Sequence, residues 1–150
     1  MRIGKPLNLR FITALLVVGF PVNWVWEMAQ MPAYVETAER SWRETALQCA
    51  AFSVGDAALI SAIYAIAVTT ARRIPSIKGL KFYLLISALG AIAAMFIELT
   101  ANAMGYWTYS KSMPIAFGLG LLPILQLATL APLTVWIASR WKGADSFQES

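Results

Sequence analysis

Three carboxylic acids stand in surroundings where a chain seldom leaves them without purpose. Asp56, Glu98 and Glu27 each fall within or at the edge of a long apolar run. Two of them carry an amide at helical spacing, Asn23 four residues before Glu27 and Asn102 four after Glu98. Residues at i and i+4 share a helix face, so these acids would present an amide beside them. Gln126 adds a third amide in the last apolar run. Carboxyl groups that meet in an apolar layer can do acid–base work. One that its surroundings keep neutral can protonate a C=C bond, while an ionised partner and aromatic faces stabilise the resulting cation. The catalytic candidates are therefore Asp56, Glu98 and Glu27. The candidates for holding a substrate are Asn23, Trp24, Asn102, Trp107, Tyr109 and Gln126.

Much other chemistry is excluded. The chain has no histidine, which removes His-based metal sites, haem ligation and a Ser-His triad, and its one cysteine, Cys49, cannot form an internal disulfide. No metal site and no cofactor is expected, and Cys49 reads as an inert small residue.

The elements that must position these residues follow from composition. The 150 residues are 59% apolar and 13% charged, with a mean hydropathy of +0.62. A soluble domain carries about 25% charged residues. The apolar excess lies in four runs, at about 10–29, 45–71, 82–105 and 115–138. Each is long enough, at 1.5 Å per residue, to cross a hydrocarbon core about 30 Å thick. The expected fold is an all-α integral membrane protein, a single-domain antiparallel bundle of four transmembrane helices. The first run continues into Asn23, Trp24 and Glu27 with no nearby cleavage site and reads as a retained span rather than a signal peptide. Residues 31–44 mix Glu36, Glu39, Arg40, Arg43 and Glu44 with Tyr34 and Trp42, which predicts a short amphipathic interfacial helix. Pro21, Pro123 and Pro132 should bend or interrupt their helices or free carbonyls toward a cavity, Gly55 and Gly105 should allow close helix contact, and 145–150 reads as a disordered tail.

Charge sets the orientation. Nine of the twelve Lys and Arg residues (Arg2, Lys5, Arg10, Arg72, Arg73, Lys78, Lys81, Arg140 and Lys142) lie on one side of a four-span topology, against Arg40, Arg43 and Lys111 on the other. The positive-inside rule then places both termini and the 72–81 loop in the cytoplasm of a bacterial inner membrane. The basic balance is thus topology, and no nucleic-acid partner is expected. Asp56 lies some 11 residues into its span, about 16 Å below the outer surface. By the same reckoning the acids and amides form one layer between midplane and outer surface, and the inner half offers nothing comparable. An ionised acid at mid-bilayer costs about 2.5–3.5 kcal/mol, so the three should face inward, with Arg40 and Arg43 as counter-charges if the 31–44 segment folds over the mouth.

A structural reading stands beside this functional one. Amides in membrane helices commonly bond neighbouring helices, which would account for Asn23, Asn102 and Gln126 singly, and Glu27 could reach the interface. Trp24, Trp26, Trp42, Trp107 and Tyr109 fit an interfacial anchoring belt.

Three stretches carry a resemblance. Asn23-Trp24-Val25-Trp26-Glu27 through Gln30-Met31-Pro32-Ala33-Tyr34, then Gly55-Asp56 with Tyr64, then Glu98 with Gly105-Tyr106-Trp107-Thr108-Tyr109, Met113-Pro114, Pro123 and Gln126, resemble a family of small bacterial four-span membrane proteins without an established activity. A fainter similarity is to membrane-embedded lycopene cyclase-type and carotenoid hydratase-type domains, in which intramembrane acids and a Gly-x-Trp-x-Tyr-like segment recur. That similarity implies an isoprenoid substrate. The smaller helix count of this chain leaves a second copy or a partner subunit to complete the site.

Three functions remain open on the sequence: an intramembrane acid/base enzyme acting on a lipid or isoprenoid, a non-enzymatic membrane component binding a lipid or protein partner, and a proton- or cation-coupled permease subunit. The lipid bilayer is a partner in all three.

Overall fold

The computed structural model describes residues 9–141. Its main elements are helices α1 (Leu9–Gln30), α2 (Trp42–Arg73), α3 (Leu80–Met104) and α4 (Leu121–Arg140), with a small hairpin of β1 (Ile115–Ala116) and β2 (Leu119–Gly120) leading into α4. All four helices are long and apolar enough to span a membrane, and the chain is a multi-pass membrane protein built as an antiparallel bundle. The expected tail at 145–150, and Arg2, Lys5 and Lys142, lie outside the described residues.

Local chemistry explains where the elements begin and end. Helix α2 starts at Trp42, before the apolar run itself, because Ser41 and Glu44 form a capping box. The Ser41 hydroxyl accepts from the Glu44 N–H, and the Glu44 carboxylate accepts the Ser41 N–H at 2.9 Å. The 31–44 segment is consequently not an amphipathic α-helix. It forms two short 3-10 turns, Met31–Ala33 and Val35–Thr37, with Pro32 in the first turn where its missing N–H is not needed. Gly105 closes α3 in the left-handed conformation at φ 66°, so its role is a C-cap and not helix contact. The last helix begins at Leu121 instead of 115, because Phe117 and Gly118 both take positive φ and turn a two-residue hairpin. Pro123 therefore sits in the first turn of α4 and interrupts nothing.

Lipid tails are as apolar as the side chains they meet, so close packing and interhelical hydrogen bonds hold such a bundle together. At Gly90 of α3 an added Cβ would overlap the Leu127 carbonyl of α4, and at Gly19 of α1 it would meet Ala57 of α2 at 3.2 Å. Pro132 has no N–H to offer the Ala128 carbonyl four residues back. Ser87 of α3 supplies the missing donor, its Oγ donating to Ala128 O at 2.7 Å. The carbonyl freed by Pro132 is thus used for packing rather than turned toward a cavity.

The two ends of the bundle differ. Toward the basic 72–81 loop the interior is largely apolar, with Phe11 against Tyr64 (ring centroids 4.9 Å) and Tyr64 edge-on to Phe82 (6.2 Å) near Leu15, Ile86 and Val135, and with the Ser61 and Thr134 hydroxyls buried among them. At the opposite end the 3-10 segment is zipped to the loop after α3. Val35 N–H donates to Thr108 O at 3.0 Å, Ser110 N–H to Ala33 O at 2.9 Å, and the Ser110 and Ser112 hydroxyls to Pro32 O. In lateral arrangement, α1 and α4 pack on each other, α2 packs chiefly on α1 and α3 chiefly on α4, and α2 and α3 touch only lightly. The gap this leaves is where the polar residues lie.

Candidate functional site

A cavity of about 680 Å³ opens between the helices under the 3-10 segment, within the range of roughly 300–1,000 Å³ usual for small-molecule sites. Glu27, Asp56, Glu98 and Gln126 all line it, one from each helix. The rest of the wall is largely apolar and aromatic, including Phe52, Leu59, Ile97, Tyr106 and Trp107.

One wall is organised by a single amide. Gln126 Nε2 lies 3.1 Å from Asn23 Oδ1, 2.9 Å from Glu27 Oε1 and 2.9 Å from Asp56 Oδ2. Behind it, Gln30 Nε2 donates to Gln126 Oε1 at 3.1 Å, and the Trp26 indole N–H donates to Gln30 Oε1 at 3.1 Å. This relay fixes which face of the Gln126 amide carries the protons. An amide nitrogen has two hydrogens, and three oxygens crowd it. The Glu27 and Asp56 carboxyl groups are thus brought side by side on the same Gln126 nitrogen.

The other wall holds Glu98, only 1% exposed, whose carboxylate accepts the Tyr109 hydroxyl. Asn102 Nδ2 in turn donates to Tyr109 Oη at 3.0 Å and to Gly118 O at 3.3 Å, tying the end of α3 to the hairpin. Burial, and then the neighbouring Glu98, push the Tyr109 phenol above its ordinary range, so it remains a donor. Tyr34, beside Trp107 and Tyr109, is raised likewise, by burial first and then by the nearby carboxyl groups. Trp107 Nε1 is a buried donor left without a hydrogen bond.

Of the residues singled out from sequence, Glu27, Asp56, Glu98, Trp107 and Gln126 share the cavity wall, and the other four do not reach it. Asn23 is fully buried behind Gln126 and spends its own N–H on Gly19 O at 2.8 Å. Trp24 leans away from the cavity and donates to Ala46 O of α2 at 3.1 Å. Asn102 and Tyr109 stand behind Glu98 as its support. Asp56 meets Glu27 directly, whereas Glu98 pairs with Tyr109. Of the two arginines offered as counter-charges, Arg40 is at the rim, bonded to Gln48, and Arg43 is not on the lining.

Sequence reasoning gave Gln30, Tyr34 and Gly55 no place among the candidate site residues, though all three line the cavity. Gln30 continues the stripe Asn23, Glu27 at i+3, so its signal was the same helical spacing. Gly55, expected at a helix contact, faces the open cavity instead: an added Cβ there meets nothing within 4 Å. Compared with known protein families, curated proteins and solved structures, the chain matches none.

Proposed function

We propose that this protein is an intramembrane acid/base enzyme acting on a lipid or isoprenoid. It would sit in a bacterial inner membrane with both termini cytoplasmic and its polar cavity in the outer half of the bilayer. The observation that carries the reading is the placement of three carboxyl groups from three helices on one largely apolar cavity, with Glu27 and Asp56 gathered on the one Gln126 amide. Asp56, beside Glu27 on the Gln126 amide, and Glu98, steadied by Tyr109, serve as the two proton-transfer groups. The excess of basic residues in the terminal segments and the 72–81 loop supports the orientation. The resemblance to membrane-embedded carotenoid enzymes favours an isoprenoid among lipids.

A non-enzymatic lipid- or partner-binding component is the second reading. The use of Asn23, Trp24 and Asn102 for contacts between elements favours it. A permease subunit is opposed by the apolar packing of Phe11, Tyr64 and Phe82 between the cavity and the basic end.

The isosteric amides decide between the first two readings. Asp56→Asn and Glu98→Gln retain hydrogen bonding and remove the proton-transfer group, so both variants should fold while at least one abolishes the lipid product or phenotype that the parent gene restores to a deletion strain. Full complementation by the double variant would leave the binding component as the better reading.

A further inference from the structure

The cavity opens near the exposed Arg40 and Tyr106, at the end under the 3-10 segment, and along one flank of the bundle. Leu59, Ala94 and Leu127 line it on the side of the apolar core, its roof is the zipped pair of segments around Tyr34 and Trp107, and α1 and α4 form the back. The flank opening is the seam between α2 and α3, which touch only lightly. Ala51, Phe52 and Gly55 of α2 and Ile97 of α3 line the cavity and are at the same time exposed on the flank of the bundle, Phe52 at 42% and Ile97 at 43%. Both helices are membrane spans, and Phe52 lies about 15 Å of helix from the start of α2, so that flank faces hydrocarbon rather than water.

The polar end of the cavity constrains the visitor. Among the described residues that line it the only cation is Arg40, exposed at the rim and bonded to Gln48, whereas Glu27, Asp56 and Glu98 line the wall within the bundle. A phosphate head would meet carboxyl groups with no deep cation to balance it, while a head that donates hydrogen bonds finds acceptors.

We propose that a long-chain lipid with a hydrogen-bond-donating head, an alcohol or an amine, reaches the carboxyl groups sideways from the bilayer through the seam between α2 and α3. Its head meets Glu27, Asp56 and Glu98, and its chain leaves between Phe52 and Ile97. This rests on the reading of the cavity as the working site, and it adds the substrate class and the route. Gly55 borders the seam, and an added Cβ there meets nothing within 4 Å, so a side chain at this position has room to enter the passage.

The test uses the full chain in nanodiscs with a long-chain alcohol bearing a diazirine near the end of its chain. After illumination, labelled peptides are mapped by mass spectrometry, with unlabelled alcohol, amine or alkyl phosphate of equal length as competitors. Labelling of the α2 and α3 peptides around Phe52 and Ile97 should saturate, yield to alcohol and amine, resist the phosphate, and be lost in Gly55→Trp. Gly55→Leu serves as a milder block, and the wild-type map stands by itself if either variant folds poorly. Labels confined to 32–37 and 106–112 would place access on the water side and overturn the route. Equal competition by the phosphate would overturn the head chemistry, and labelling unchanged in a folded Gly55→Trp protein would reduce the signal to surface lipid. If the amide variants stay fully active while seam labelling remains saturable and blockable, the acid/base reading fails and the lateral route stands.

Discussion

Gln126 Nε2 of α4 lies 2.9 Å from Asp56 Oδ2 of α2, a polar contact between two helices that otherwise pack mainly on α1 and α3. The same nitrogen touches Glu27 and Asn23 of α1. One amide thus joins three spans and orders the acidic wall of the cavity.

Replacing that amide should damage architecture and site together. Gln126→Leu leaves the Gln30 amide and the Glu27–Asp56 pair without their common partner. An unsatisfied buried polar group costs about 1–3 kcal/mol, and membrane reference states recover part of it, so a loss of roughly 2 kcal/mol is expected. Unfolding in mixed detergent micelles measures it. A variant as stable as the parent would mean that water or lipid replaces the amide at little cost.

The two glycines facing opposite surroundings should respond oppositely to one methyl group. Gly90→Ala drives a Cβ into the Leu127 carbonyl and must push α3 off α4, whereas Gly55→Ala adds a methyl to open space. Loss of stability by about 1–3 kcal/mol is expected for the first and none for the second. Thermal denaturation of both purified variants checks the pair.

Ser87 repairs the gap that Pro132 makes. Ser87→Ala orphans the Ala128 carbonyl, at an expected cost of about 1 kcal/mol. The double variant Ser87→Ala, Pro132→Ala restores a backbone donor to Ala128 and should recover most of that loss. Additive losses in the double-mutant cycle would break the link between the two residues.

Tyr109 should hold its proton, and its bond to Glu98, past the ordinary tyrosine range. Because its folded pKa is raised, chiefly by burial, its contribution to stability is complete below the unfolded value of about 10 and fades as pH rises through the folded value. The stability difference between the parent and Tyr109→Phe should be flat from neutral pH to about 10 and shrink only above it. A difference already changing near pH 8 would contradict this.

Glu36 sets an acid limit on the roof. Burial alone would raise its carboxyl, but hydrogen bonds from its own backbone and from Thr108, with Arg40 nearby, outweigh that and hold it below the ordinary carboxylate range. With the folded pKa depressed, the stabilisation is present above the unfolded value of about 4.3 and lost as pH falls through the folded one. Amide exchange in 32–37 and 106–112, corrected for intrinsic rates, should rise on acidification in the parent. In Glu36→Gln it should already be raised at neutral pH and change little.

The four spans were legible in the sequence because crossing a bilayer demands about 20 apolar residues in a row, a local property that no tertiary contact can hide. The i, i+4 pairing of Asn23 with Glu27 was legible for the same reason, since helix geometry alone puts them on one face. Boundaries that depended on specific side-chain partners were less so. The apolar pattern gave no sign that Ser41 and Glu44 would start α2 early, or that Phe117-Gly118 would turn a hairpin ahead of α4.

Which polar residues meet was decided only by how the helices cross. Periodicity places a residue on a face of its own helix but says nothing about the rotation and tilt of that helix against its neighbours. Asp56 therefore has Glu27 as its direct carboxyl neighbour, and Asn102 supports Tyr109 from outside the cavity. Gly90 and Gly19, both plain glycines in apolar runs, are where the spans come closest, while Gly55 borders open space. The sequence alone specified a chain that must live in a membrane with its polar residues turned inward. The crossing of α3 on α4 and of α2 on α1, which leaves α2 and α3 only lightly packed, gathered Glu27, Asp56, Glu98 and Gln126 around one cavity.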